Sequence, residues 1–356
     1  MLLQSLGLRN FRNYENFRIK FDPLTILVGP NGSGKTNLLE AIFILNFAHS
    51  WRTCHKEELI NWQKNFCSLK GQTKDQNIEI IFNQDKKPYK IIKISGVKKR
   101  DIDLLGKLPL VLFIPENLGI ISGSPRDRRR FLDLILIQTD KEYTRNLILL
   151  QKTLKSRNNL LSGINLKKNK MEELFFWDQK LIDLSIPIIT ARRNLVNFIN
   201  NFLKQYYPHI SGQKRSFLEL KYCSIIPNKE KFLEMISLHR EKEISSAATL
   251  YGPHRDDLEF FLNHKKAKLF ASRGEIRSII LALKRAELEF ISKKIKEEPL
   301  FLLDDIFSEI DKERRSSLLP LFNTRQAILT TTNLEELPSK LKNKSRVINL
   351  NSYFKI

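Results

Sequence analysis

The sequence predicts an α/β fold with a phosphate-binding loop, a mixed sheet and an inserted helical arm. Three observations carry that expectation. A glycine-rich loop, Gly29-Pro30-Asn31-Gly32-Ser33-Gly34-Lys35-Thr36, stands between an apolar strand and a helix. A short apolar strand, Leu300-Phe301-Leu302-Leu303, ends in Asp304-Asp305. Between the two, from about Arg126 to Phe202, the pattern changes to long helices.

Taken in order, the chain opens as a hairpin. Leu2 to Leu8 and Phe17 to Phe21 are short apolar runs, and the polar segment Arg9 to Asn16 should turn between them. Thr25-Ile26-Leu27-Val28 is a buried-strand run entering the glycine loop. The helix after it crowds Leu38, Leu39, Ile42, Ile44 and Leu45 onto a broad apolar face. Ile78 to Phe82, Lys90 to Ile94 and Leu110 to Phe113 read as further strands. From Leu174 to Phe202 apolar residues alternate spacings of three and four, a heptad seam that Pro187 should kink or interrupt. Lys141 to Leu161 is the expected antiparallel partner, and Lys167-Lys168-Asn169-Lys170 the tip of the arm. Glu275 to Ile295 reads as a helix with Ile276, Ile279, Ile280, Leu283, Ala286 and Phe290 on one side. Ala327-Ile328-Leu329 is a last strand, followed by three threonines. The expected domains are 1–125 and 246–356 for the two parts of the head, and 126–245 for the helical lobe.

Composition narrows the function classes. The 356 residues suffice for a large core plus an accessory lobe. Lys and Arg number 61 against 39 Asp and Glu, a net charge of +22 that favours a polyanionic partner, nucleic acid or an acidic membrane surface. A biased base composition, visible in the abundant Lys, Asn and Ile, would give the same surplus. No apolar run approaches the roughly 20 residues of a membrane span. The start Met1-Leu2-Leu3-Gln4-Ser5 lacks the features of a signal peptide. Cys54, Cys67 and Cys223 are odd in number and lack zinc spacing, which fits a reducing, cytoplasmic setting.

The loop Gly29 to Thr36 matches G-x-x-x-x-G-K-[ST] at every fixed position. Its glycines let backbone N–H groups turn inward on a phosphate. Lys35 would reach the outer phosphates, and Thr36 would ligate Mg²⁺. Strand C-terminal ends are where α/β sheets place ligands, so Asp304 suits the Mg²⁺ shell through a water. Asp305 is then placed to orient or deprotonate an attacking water. A plain cap on the following turn is the alternative for this acidic pair. Many ATPases of this architecture carry Glu at the second position, and the shorter Asp predicts slow hydrolysis. Ser272-Arg273-Gly274-Glu275 opens a helix, as an anion site or as an ordinary serine cap.

The order of these parts resembles the ABC-type ATPases: phosphate loop, helical insertion, Ser-x-Gly loop, apolar strand with Asp-Asp, then Ser308-Glu309-Ile310-Asp311. In that class the signature serine of one subunit completes the nucleotide site of another. Within the class the chain is similar to the RecF family. The likeness lies in Leu8 to Tyr14, Gly29 to Thr36, Ser50-Trp51-Arg52-Thr53, Pro115 to Leu118, Gly123-Ser124-Pro125 with Arg128 to Asp133, Gly252 to Asp257, and Leu302 to Asp311. These blocks run in order over essentially the whole chain. The phosphate loop is family-nonspecific, whereas Gly252 to Asp257 together with Arg128 to Asp133 is quite specific.

The resemblance implies a bacterial DNA repair and replication-recovery protein that hydrolyses ATP slowly. It implies an ATP-bridged homodimer that binds DNA at single-strand gaps and duplex junctions. It also implies partnership with RecO and RecR in bringing RecA to single-stranded DNA. Nucleotide contacts then fall on Gly29, Pro30, Asn31, Gly32, Ser33, Gly34, Lys35, Thr36, Ser272 and Gly274, metal contacts on Thr36 and Asp304, and the catalytic role on Asp305. The sequence departs from the pattern in three places. Glu275 replaces the usual signature amide, Thr330 to Thr332 stand where transporter ATPases carry a histidine, and no glutamine loop is evident near Phe113 to Glu116. A transporter ATPase subunit, and an unrelated phosphate-loop kinase or nuclease accessory, are the competing readings. The stretch from Lys35 to Ser272 is long enough for a helical lobe that compact transporter ATPases lack. Arg128, Arg129 and Arg130 are candidates for a basic face or for structural ion pairs.

Overall fold

The computed structural model describes residues 2–352, apart from 86, 88, 214 and 311. Residue 1 and Asp311, the last residue of the Ser308 block, therefore lie outside the described residues. The chain divides into two compact units: Met1–Asn117, Ile210–Gly212 and Lys284–Ile356 in one, Leu118–His209 and Gln213–Leu283 in the other.

The first unit opens with β1 (Leu3–Phe11) and β2 (Tyr14–Lys20), an antiparallel hairpin. The expected polar connection shrinks to Arg12-Asn13. Arg9 and Asn16 continue the ladder because alternate side chains of a half-buried strand face water, whereas Asn10, buried and at φ +53°, offers its carbonyl to the Asn61 N–H. Next come β3 (Leu24–Val28) and α1 (Lys35–Phe47), whose residues from Leu38 to Phe47 are all buried. An apolar coat on every side marks a helix wrapped by its unit rather than a surface helix. Four antiparallel strands follow: β4 (Phe66–Thr73), β5 (Asn77–Asn83), β6 (Lys90–Ile94) and β7 (Val97–Lys99). With the hairpin they form a six-stranded sheet in the order β2-β1-β4-β5-β6-β7. Strand β4 was invisible in the sequence because its face alternates with Ser68, Lys70 and Gln72, and Gly71 interrupts it. That glycine is a packing device: a Cβ there would lie 2.5 Å from Leu45 Cδ1 of α1. β8 (Leu110–Phe113) belongs to a different sheet.

The second unit is built on α2 (Pro125–Thr139), α3 (Lys141–Asn165) and α4 (Leu174–Ser211). Ser124 and Asp127 form a capping box before α2, with Pro125 at its first position. Asp140 caps α3 by accepting the Tyr143 N–H. Helices α3 and α4 run antiparallel, as three contacts show. Leu160 and Leu161 pack on Leu174, Arg157 pairs with Asp178, and Tyr143 meets Arg192. The expected tip, Lys167 to Lys170, joins them. Pro187 does not interrupt α4, which continues through it. Pro187 and Asp183 both face solvent, so the carbonyl freed by the missing N–H is on the watery side. β9 (Leu218–Cys223), β10 (Asp257–Leu262) and β11 (Lys265–Lys266) make a small antiparallel sheet.

Helix α5 (Arg273–Ile295) contributes residues to both units and is buried well beyond the single apolar side expected of it. Ser278, Lys284 and Glu287 are buried too, the last two paired at 2.9 Å. β12 (Leu300–Asp304), β13 (Ala327–Thr331) and β14 (Arg346–Asn349) return to the first unit. They join β3 and β8 in a parallel sheet ordered β14-β3-β13-β12-β8. The mixed character of the fold is thus divided between an all-antiparallel and an all-parallel sheet. Central strands β12 and β13 are buried at every residue, as strands of a parallel sheet covered on both faces must be.

Candidate functional site

The parallel order places the C-terminal ends of β3, β13 and β12 side by side, and the sequence-predicted residues of the first unit converge there. The loop leaving β3 is tied back to its neighbour strand by Gly29 N–H donating to the Thr331 carbonyl at 3.4 Å. Gly32 and Gly34 have φ of +84° and +86°, the left-handed region open to glycine. Gly34 is also pressed from outside. A Cβ there would stand 2.6 Å from Tyr14 Oη and 2.8 Å from Asn13 Nδ2, and Tyr14 Oη donates to the Gly34 carbonyl. Lys35 is 7% exposed. Its ammonium donates to the carbonyls of Gly29 and Pro30 at 2.6 and 2.9 Å, folding over the loop it belongs to. Burial pulls its pKa down, against the pull of Asp305 and Asp304.

Thr36 Oγ1 donates to Asp304 Oδ2 at 2.7 Å, joining residues 268 positions apart. The other carboxylate oxygen of Asp304 accepts from Thr330 Oγ1 at 2.6 Å. The same threonine oxygen accepts the Asp305 N–H at 2.9 Å. Asp305 has φ +51° and opens the short helix Ile306–Glu309 without a side-chain capping bond. The simple cap reading therefore has no hydrogen bond behind it. Burial raises the Asp305 pKa, and Asp304 and Glu336 add to that effect while Lys35 opposes it.

A nucleoside triphosphate and a divalent cation fit these residues on two counts. The loop's own lysine is satisfied by loop carbonyls at a place where phosphate oxygens would otherwise serve. Ser33 Oγ and Asp305 Oδ1 are shielded from solvent and have no hydrogen-bond partner among the described residues. Buried polar atoms without partners are costly, and a polar ligand relieves them.

The shell behind the loop was only partly visible in the sequence. Glu40, on α1 and fully buried, accepts a two-pronged bond from Arg12 at 3.0 and 2.8 Å, a bond from Ser50 at 2.5 Å and one from Arg52 at 3.4 Å. Two of the resemblance blocks, around Arg12 and around Arg52, thus converge on one carboxylate. The sequence motifs do not mark Glu40, and mark Thr330 only as one of three threonines standing where transporter ATPases carry a histidine. A charged residue within the apolar stretch Leu38 to Leu45 was the available signal for Glu40; nothing set Thr330 apart from Thr331 and Thr332.

Ser272 and Gly274 belong to the second unit. Ser272 Oγ accepts the Glu275 N–H at 3.2 Å, and the Glu275 carboxylate accepts the Ser272 N–H at 2.8 Å. This reciprocal box explains the acid at 275, since S-x-x-E is the capping pattern itself. The Ser272 O–H remains able to donate. In the same unit the two specific blocks fold onto each other. Arg128 holds both oxygens of Asp257 at 2.7 and 2.9 Å, Arg129 donates to the Asp256 carbonyl, and Arg192 bridges Asp133 and the Pro253 carbonyl. Arg128 and Arg129 are therefore structural rather than free basic residues, and Arg130 is exposed.

Antiparallel and parallel sheets around a buried loop helix, with a helical unit inserted before the returning strands, define an ABC-type ATPase head. The sequence matches the RecF/RecN/SMC N terminal domain family over residues 2–349. Similar curated proteins include the DNA replication and repair protein RecF of Lachnoclostridium phytofermentans, 36% identical over 94% of each chain. RecF of an Exiguobacterium species is 36% identical over 98% of this chain and 97% of its own. Among solved structures, the recombination mediator protein RecF with ATP aligns with a TM-score of 0.87 at 29% identity, covering 94% of this chain and 93% of that one. An Smc head bound to the C-winged helix domain of ScpA shares the fold at a TM-score of 0.56 and 18% identity, over 98% and 93% of the two chains. The chain belongs to the RecF family of DNA replication and repair proteins.

Proposed function

We propose that this chain is an ATP-gated DNA-binding protein of replication and recombinational repair, with slow ATP hydrolysis. The observation that carries the reading is the Thr36–Asp304 hydrogen bond beneath a loop whose lysine lies folded over it. Residues Gly29 to Thr36 would hold the phosphates of ATP through inward N–H groups and Lys35, with Thr36 and Asp304 holding Mg²⁺. The cation supplies charge neutralisation along the phosphates when bound. Asp305 orients the attacking water and takes its proton; its raised pKa suits that task, and its short side chain makes it slow. Ser272 and Gly274 complete the site of a second copy, so that ATP bridges a homodimer. The dimer acts at single-strand gaps and duplex junctions, and works with RecO and RecR in bringing RecA to single-stranded DNA. Full-length likeness to RecF proteins supports this over a transporter subunit, and among the described residues no helix is long and apolar enough to cross a membrane.

The test combines a fluorescent ATP analogue with sedimentation. Lys35→Ala should lose nucleotide binding without losing the fold. Asp305→Asn should keep binding, stall hydrolysis and lengthen the life of the ATP dimer. Ser272→Arg should bind nucleotide as a monomer and fail to dimerise. Unchanged, Mg²⁺-dependent binding by Lys35→Ala would overturn the site.

A further inference from the structure

The six-stranded antiparallel sheet buries its apolar side chains mainly on one face, with Phe66, Ile81 and Ile91 the apolar residues on the other. Leu6, Leu8, Ile19, Leu69, Ile80 and Ile92 are buried on the inner face. The outer face carries one continuous row across all six strands, given by the pairing register: Arg18, Gly7, Lys70, Glu79, Lys93 and Lys98. Five strand spacings make that row about 24 Å long. Part of the same face is hollowed into a groove of about 740 Å³, with Gly7 and Gly71 in its lining. Arg9 adds a further cation beside the row, its guanidinium 5.3 Å over the ring of Phe66.

The charges are arranged for a polyanion. Arg18, Lys70 and Lys93 recur two strands apart, about 10 Å, which lies within the range of duplex groove widths, roughly 6 to 12 Å. Glu79 is the row's one acid, and it accepts from Lys70 at 3.0 Å and Lys93 at 3.2 Å. It sets the lysines' positions but subtracts a charge. Lys70 remains 68% exposed by side chain. A single strand read through its bases would need open aromatic platforms. Of the two rings lining the groove, Phe17 is buried and Phe66 lies under Arg9. A surface with cations and no free ring contacts phosphates rather than bases.

We propose that the outer face of this sheet is a sequence-independent docking surface for the phosphate backbone of duplex DNA, with Arg18, Lys70 and Lys93 as its contacts. The surface lies wholly in the first unit and uses none of the nucleotide-loop residues. It rests on the DNA-binding part of the proposed function and gives that part a place.

The test measures anisotropy of a labelled duplex, and of one of its single strands, with the full-length protein across a salt series. Joint replacement of Arg18, Lys70 and Lys93 by Gln should make the log–log salt slope for duplex shallower by about 2 to 3, since each phosphate contact contributes about 0.9. Binding of a fluorescent ATP analogue should be unchanged, which also checks the fold. Glu79→Gln should tighten duplex binding, an increase that misfolding cannot produce. An unchanged slope in the triple variant alongside DNA-binding wild type overturns the surface alone. Equal losses for duplex and single strand, or displacement of duplex by an acidic peptide at lower charge concentration, also overturn it. A wild-type protein with no DNA affinity overturns both the surface and the DNA-binding function.

Discussion

Thr330 does two things with one hydroxyl: it donates to Asp304 and accepts from the backbone of Asp305. Thr330→Val keeps the shape and removes both bonds. Hydrolysis should fall further than nucleotide affinity, and stability should drop by about 1–3 kcal/mol for the carboxylate and amide left short of partners. Thr330→Ser should restore turnover. Equal loss of affinity and turnover, or indifference to Val, would contradict a positioning role. His254 gives a pH-dependent prediction. Its Nε2 lies 3.1 Å from the Thr249 carbonyl, so that nitrogen carries the proton, while Nδ1 is buried without a partner among the described residues. Burial lowers its pKa from 6.5 to about 4, and Arg255, Arg129 and Arg157 push the same way. The unfolded chain then binds the proton more readily than the folded one. The stability of neutral His254 is complete above pH 6.5 and is lost as pH falls toward about 4. His254→Gln keeps a donor for Thr249 and cannot titrate. Its melting temperature should fall less steeply across that range than the wild type's, and parallel pH profiles would exclude the histidine as the cause.

At the scale of elements, legibility followed the strength of local patterns. β8 and β6 were predicted with their observed ends, because an apolar run held between Pro109 and Pro115, and an isoleucine-rich run stopped by Ser95-Gly96, leave little choice. β4 was missed, and so was the true length of the first hairpin, because residues such as Ser68 and Arg9 serve the fold through strand pairing, which no local window contains. The nucleotide loop was readable because its chemistry lies within eight consecutive residues; Glu40 and Thr330 act through partners far along the chain. The arm's seam was legible, but its polar core was not. Arg157 is fully buried between Asp178, Glu243 and Thr249, joining α3, α4 and the short helix Arg240–Ser246. Arg157→Ala would leave two acids in a dry core. It should cost about 3–5 kcal/mol, the range for breaking a buried ion pair from one side. Urea titration measures this. A loss under about 1 kcal/mol would mean that water reaches the site in solution.

For the whole molecule, the net charge of +22 should appear in DNA binding as a steep salt dependence. With about five phosphate contacts the log–log slope should be roughly −4 or steeper. A flat response between low and physiological salt would assign the surplus to base composition. The order of the parallel sheet has a consequence for how the protein is made. β3, which delivers the nucleotide loop, is Leu24–Val28, yet both its neighbours, β13 and β14, come about 300 residues later, from Ala327–Thr331 and Arg346–Asn349. At about 5–20 residues per second, the ribosome leaves that strand with two open edges for roughly 15–60 s. The antiparallel hairpins and α1 can assemble meanwhile from contacts close in sequence, whereas the sheet that carries the loop cannot close until β13 and β14 have emerged. A nascent chain should therefore bind no nucleotide until β13 and β14 emerge, which arrested chains of increasing length, incubated with a fluorescent ATP analogue, would show.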